Sequence, residues 1–314
     1  MEENKNFTTV ENLNTRCDEK YLDLINNRQI KDILSTMGKF VKETIENDIL
    51  IIDQMPEAKQ LCSKAEWEKI KHRELIDSPK YVELVGVTLY KNEQGPIDEK
   101  GSMHVIGTNK LHPYVRTVYD VSQTTGDELP KEYDKEELAK YFDTVKNSLE
   151  HITKGYTVRY EDDIDKKSYI DKENKQIVVK NGMSLISVIN ELIDNTTKVL
   201  LNSRRQEGLS SEQLSNVNSL EWKAAVYAIH SRYNLDLPEF DFSEVEKLSN
   251  DEKMLFRDNL GKVRSVVYQL THNLENSIEF TMREQNKDKS KDYQSNNTSQ
   301  KENTKQNQND GEEL

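Results

Sequence analysis

The chain has 314 residues, enough for two domains of ordinary size. Hydrophobic residues make up 34% and charged residues 32%, with a formal net charge of -13, which argues against a broadly basic nucleic-acid-binding surface. Cys17 and Cys62 are the only cysteines and form no C-x-x-C pair, which fits a reducing compartment and excludes a disulfide scaffold or a cysteine-built zinc site. No apolar run is long enough to cross a bilayer, and Met1-Glu2-Glu3 does not open a signal peptide. The expectation is a soluble, cytoplasmic protein without a membrane partner.

In chain order, residues up to about Asp18 are polar and expected to be loosely ordered. From Tyr21 to Ile52, the series Ile30, Leu34, Met37, Val41, Ile45 and Ile49 marks helix with one buried face, weakened or bent at Gly38. Ser63 and Glu66 form a capping-box pattern for a short helix that Trp67 would anchor in the core. Tyr81–Tyr90 reads as a strand, and Val115–Val121 as a second, with His104 and His112 in loop between them. Gly126 through Pro130 is turn chemistry and a domain boundary. Asp134 then opens a helix with Tyr141, Val145, Leu149 and Ile152 on one face.

Tyr156–Tyr160 is a short strand, and Ser168–Ile170 with Gln176–Val179 reads as a hairpin. A helix follows from about 185 to 200, capped by Ser184, with Leu185, Val188, Ile189, Leu192, Thr196, Val199 and Leu200 in helical register. Another runs from about Ser211 to Tyr233, where Asn234 suits a left-handed stop and Pro238 follows. The last runs from about Asp251 to Phe280, with Gly261 inside it at some cost. Beyond Met282 almost no apolar residue remains, so a disordered tail is expected.

On the 185–200 helix, Asn190, Glu191 and Asp194 stand at i, i+1 and i+4. This is the spacing of a zinc-protease H-E-x-x-H helix with the glutamate kept and neither histidine present. The hairpin before it, Leu220–Ile229 after it and the Asn234-Leu235-Asp236 stop together resemble the zincin-like domain of ArdC-type antirestriction proteins and their LtrC-like relatives. In the first half, Gln54-Met55-Pro56-Glu57-Ala58, Trp67 and Tyr119-Asp120-Val121-Ser122-Gln123-Thr124 resemble that family's N-terminal module. The likeness covers about residues 25 to 280 in order. It departs at Lys69–Ser78, where the family's Gly- and Lys-rich segment is replaced by a nearly neutral one, and at Lys223, which takes the place of an acidic residue two positions after Glu221.

The resemblance implies an α+β chain: N-terminal helices with a small β-sheet, then a mostly helical zincin-like domain with a small sheet or hairpin. The implied divisions are a flexible 1–20, an N-terminal module at 21–132, a zincin-like domain with a degenerate site at 133–281, and a polar tail at 282–314. A catalytic zinc needs imidazoles, a third ligand and an open position. Asn190 and Asp194 offer hard oxygens instead, Lys223 adds a cation, and none of His72, His104, His112, His151, His230 and His272 stands at i, i+4 with another. A lone His230 reads as a packed or surface histidine. The expectation is therefore a vestigial site (Asn190, Glu191, Asp194, Glu221, Lys223) with no catalytic residue, metal or cofactor.

The resemblance also implies an accessory protein of a mobile element that engages single-stranded DNA. Trp67, Lys69, Lys71 and Arg73 are the candidate contacts, diluted by Glu66, Glu68 and Glu74. A protein–protein interaction module built on the degenerate domain is the alternative, and a residual metal-dependent hydrolase using Glu191 the third reading.

Overall fold

The computed structural model describes residues 8–90, 93–97, 103–106, 110–203 and 211–309. In order, the elements are α1 (Val10–Asn26), α2 (Ile30–Lys39), α3 (Ile45–Gln54), β1 (Leu61–Cys62), α4 (Lys64–Lys69), β2 (Arg73–Leu75), β3 (Val82–Tyr90), β4 (Glu93–Ile97), β5 (Met103–Ile106), β6 (Lys110–Asp120) and β7 (Thr124–Gly126). They continue with α5 (Lys135–Lys140), α6 (Phe142–Ile152), β8 (Thr157–Glu161), β9 (Ser168–Asp171), β10 (Gln176–Lys180), α7 (Leu185–Ser203), α8 (Ser211–Arg232), α9 (Ser243–Glu246) and α10 (Asn250–Asn309). Helices thus combine with small sheets in an α+β fold. The chain forms two compact units, Met1–Asp134 with Leu201–Tyr268, and Lys135–Leu200 with Gln269–Leu314.

In the first unit, α1 buries Leu13, Cys17, Tyr21 and Leu24, and α2 buries Ile30, Ile33, Leu34 and Met37. Each such side chain contributes roughly 1.5–3 kcal/mol relative to exposure. The phenol of Tyr21 donates to the Lys253 carbonyl at 2.8 Å, tying α1 to the start of α10. Gly38 explains itself through α8: a Cβ there would lie 2.1 Å from the Ala228 carbonyl oxygen, so the two helices meet backbone to backbone. The carbonyls at the end of α2 then find cations. Arg232 donates to Gly38 at 3.0 Å and Arg264 to Phe40 at 2.8 Å, as a helix C-terminus favours. Arg264 also forms an ion pair with Asp48 of α3, whose carboxylate is fully buried.

The main sheet of this unit has the order β1-β6-β3, all antiparallel. One edge of β3 is closed by α3 rather than by a strand. The Asn47 side-chain amide donates to the Val85 carbonyl and accepts from its N–H, at 3.0 and 2.9 Å. The Gln54 amide does the same with Glu83, at 2.9 and 3.0 Å. These partly buried backbone groups are therefore satisfied without a neighbouring strand. After α3, Asp120 at the end of β6 accepts from the backbone N–H groups of Lys59, Gln60 and Ser122, at 2.6, 2.9 and 2.9 Å. Lys59-Gln60, just past Ala58, and the Tyr119-to-Thr124 segment are thus one joint.

In the second unit the sheet has the order β8-β10-β9, with β10 parallel to β8 and antiparallel to β9. Burial of Ile177, Val178 and Val179 makes β10 its core strand. The 171–176 turn is closed by Asp171, which accepts from Asn174, and by Lys175 in the left-handed region at φ 50°. Two hydroxyl pairs, Thr144 with Thr281 and Ser148 with Ser277, each at 3.2 Å, join α6 to the later part of α10.

Several expectations need correction. The N-terminal stretch is not loose from Thr9 onward. Thr9 caps α1, and Leu13 and Cys17 are buried a turn apart, a pattern hidden by the polar residues around them. The single helical region expected over 21–52 is three helices, broken after Asn26, where Arg28 takes φ 63°, and again after Lys39. The second strand begins at Lys110, so His112 lies on β6, and the backbone at His104 lies on β5. The helix after 134 is divided into α5 and α6. The division into units also differs from a boundary at 132/133 followed by a domain to 281, because 201–268 groups with the N-terminal helices. Finally, α10 continues past Phe280 to Asn309 over a stretch with no proline, and with no glycine between Gly261 and Gly311 to break it.

Candidate functional site

The peptidase-like helix forms as its sequence dictates. Ser184 accepts from the Ser187 N–H at 3.2 Å and starts α7, whose Val188, Ile189, Leu192, Ile193 and Leu200 are buried. This register leaves Asn190, Glu191 and Asp194 half-buried. Glu191 accepts a hydrogen bond from the Ser168 hydroxyl of β9. Asn195 donates to the same hydroxyl at 2.7 Å and, through the same amide group, to the Glu191 carbonyl at 2.8 Å. Ser168 thus gives its one proton to Glu191 and takes one from Asn195, a chain of three that fastens α7 to the sheet. The Asn190 side-chain oxygen is buried and has no hydrogen-bond partner among the described residues.

Glu221 and Lys223 lie on α8, in the other unit. Burial pushes the Glu221 carboxyl above its usual range, and Lys262 pulls it partly back. Lys223 donates to the Asp241 carbonyl at 3.3 Å. Farther along α8, His230 is buried, with Nδ1 2.9 Å from the Asp236 carbonyl oxygen, and Leu235 N–H returns to the His230 carbonyl at 3.0 Å. Asn234 takes φ 51° between them, the left-handed stop its sequence suggested. His230 is a packed histidine of that stop.

The donor set around Glu191 does not suit zinc. The helix carries no imidazole, its carboxylate is engaged by Ser168, and among the described residues no three His, Cys, Asp or Glu side chains are grouped to hold a metal ion. Two surface clefts lie elsewhere, one of about 450 Å³ lined by Asn147, His151, Asn273 and Phe280, the other of about 360 Å³ lined by Val41, Lys42, Arg264 and Tyr268. Neither includes Glu191.

The four candidate nucleic-acid contacts separate into two kinds. Trp67 is 0% exposed and its indole N–H donates to the Tyr119 carbonyl at 2.9 Å, so its ring offers no face for a base to stack on. Ser63 and Glu66 form the capping box that places it there. Arg73 spends its guanidinium on β7, donating to the Thr124 hydroxyl at 2.8 Å, to the Thr124 carbonyl at 3.0 Å, to the Gly126 carbonyl at 3.2 Å and to the Asp127 carbonyl. Lys69 is exposed and Lys71 half-buried. Lys42, which no sequence pattern groups with them, is exposed between α2 and α3. Burial and then Glu66 raise the Cys62 thiol pKa, while Lys71 and Lys42 both lower it.

No family model and no curated protein matches the chain. Among the solved structures that resemble it are two of the antirestriction protein ArdC from the R388 plasmid. The metal-free structure is 16% identical over 74% of this chain and 85% of that one, with a TM-score of 0.42. The Mn(II)-bound structure is 12% identical over 82% and 97%, with a TM-score of 0.43.

Proposed function

We propose that this chain is a non-catalytic accessory protein of a mobile genetic element, of the antirestriction type, in which the peptidase-like helix serves as scaffold and single-stranded DNA is engaged by the first unit. The observation that carries the reading is the state of Glu191. The one residue retained from the H-E-x-x-H pattern is bonded to Ser168, between Asn190 and Asp194 where zinc chemistry needs imidazoles. A carboxylate so occupied fastens a helix to a sheet. Lys42, Lys69 and Lys71 supply the basic groups for a phosphate backbone, and the acidic net charge makes that contact local and strongly salt-dependent.

The test is a gel-shift titration with a single-stranded oligonucleotide at low salt, with the triple variant Lys42→Ala, Lys69→Ala, Lys71→Ala beside the parent chain. Binding that weakens in the variant and with added salt supports the reading. No shift at micromolar protein removes the DNA partner. Metal analysis of the purified chain tests the scaffold role: stoichiometric zinc that is lost on Glu191→Gln or Asp194→Asn overturns it. The acidic surface equally suits a protein partner held by the degenerate domain, and capture from cells with and without nuclease treatment separates the two.

A further inference from the structure

The chain contains one Asn-Gly pair, Asn181-Gly182, in the turn between β10 and α7. Both residues are exposed, Gly182 takes φ 77°, and nothing lies within 4 Å of where a Cβ on Gly182 would stand. Glycine after asparagine leaves its backbone nitrogen uncrowded, free to approach the preceding side chain. Asn181 is also a pin. Its Nδ2 donates to Asp162 Oδ1 at 2.9 Å and its backbone N–H to the Glu161 carbonyl at 3.0 Å. Beside it, Lys180 Nζ donates to the Ile164 carbonyl at 3.0 Å. These three bonds hold the acidic loop that follows β8, with Asp162, Asp163 and Asp165, against the end of the sheet.

We propose that Asn181-Gly182 is a modification site, where spontaneous deamidation releases this loop and the Asp162 carboxylate sets the rate. The Gly182 nitrogen, its proton lost to solvent base, bonds to Asn181 Cγ. The Cγ–Nδ2 bond breaks and ammonia leaves, and water then opens the cyclic imide to aspartate or isoaspartate. Before reaction, the bond to Asp162 restrains the amide that the nitrogen attacks. Afterwards a carboxylate faces Asp162 where a donor stood, and like charges in contact repel. The isoaspartate product also lengthens the backbone by a methylene, displacing the N–H that reaches Glu161.

The full chain is incubated at 37 °C in mildly alkaline buffer and digested at intervals, and the peptide bearing 181–182 is followed by mass. The expected result is a gain of about 1 Da there ahead of other Asn-containing peptides. Asp162→Ala should speed the gain several-fold, and Gly182→Ala should slow it by about an order of magnitude. Full-length Asn181→Asp, already carrying the new charge, should be cleaved faster by protease within 161–167 than the parent. The proposal is overturned if the folded chain stays unmodified while the urea-unfolded chain reacts. It is equally overturned if Asp162→Ala leaves the rate unchanged, or if Asn181→Asp shows the parent cleavage pattern.

Discussion

Replacing Arg264 by methionine tests how the first unit is held together. Arg264 is 8% exposed and Asp48 0%, so the ion pair between α10 and α3 is out of water. Methionine fills the aliphatic volume but leaves the Asp48 carboxylate without its cation, and it removes the donor to the Phe40 carbonyl. Breaking a buried pair from one side costs roughly 3–5 kcal/mol, a large share of a typical stability of about 5–15 kcal/mol. In a unit of roughly 200 residues that corresponds to a fall in Tm of roughly 6–20 °C. The sign with pH follows from the abandoned carboxylate. Without Arg264 its folded pKa rises above the unfolded value, so the penalty is full above the folded pKa and shrinks as pH falls toward the unfolded one. Adding Asp48→Asn should restore part of the loss at neutral pH. Circular dichroism melts of the single variant, the double variant and the parent at pH 7 and about pH 5 measure this. A neutral-pH loss under about 1 kcal/mol, or one that does not shrink in acid, would refute the reasoning.

Four other outcomes are expected. Gly38→Ala drives a methyl into the Ala228 carbonyl and should cost about 1–3 kcal/mol in chemical denaturation, whereas Gly261→Ala, with open space at its Cβ, should be neutral or stabilising. Ser168→Ala strips partners from both Glu191 and Asn195 and should cost about 1–3 kcal/mol in urea unfolding of the second unit; a loss within error would show that the three residues are not fastening α7. Asp120 lies below the usual carboxylate range because, although burial pushes it up, the Ser122, Gln60 and Lys59 donors together outweigh that; its contribution is therefore present above the unfolded pKa and is lost as pH falls through the folded one. Asp120→Asn should destabilise at neutral pH and lose that effect in acid. Burial pushes the Cys17 thiol up to about 12, so in the folded chain at pH 8 a thiol reagent should modify Cys62 and spare Cys17, with both reacting in denaturant; equal native rates would contradict the burial of α1.

Local chemistry made much of this fold readable. Ser63 and Glu66, Ser184, the 171–176 turn and Asn234 each act within a few residues, and the structure bears out all four. What the sequence concealed is tertiary. Glu191 meets a serine 23 residues earlier, Arg73 meets carbonyls about fifty residues later, and Gly38 faces an alanine on α8. No periodicity records such pairings. The grouping of 201–268 with the N-terminal helices is hidden for the same reason. The N-terminus is hidden differently: before Tyr21 the apolar residues of α1 are Val10, Leu13 and Cys17, set among charged and amide side chains that mask the buried face.

The amides of Asn47 and Gln54 make α3 stand in for a strand, and this limits how the chain can change in length. The two residues are seven apart, nearly two full turns, so both project toward the same edge of β3. One residue inserted or deleted between them would rotate one amide by about 100° relative to the other. The backbone of either Glu83 or Val85 would then be left open to pairing with another chain. The span from Asn47 to Gln54 is therefore fixed in length.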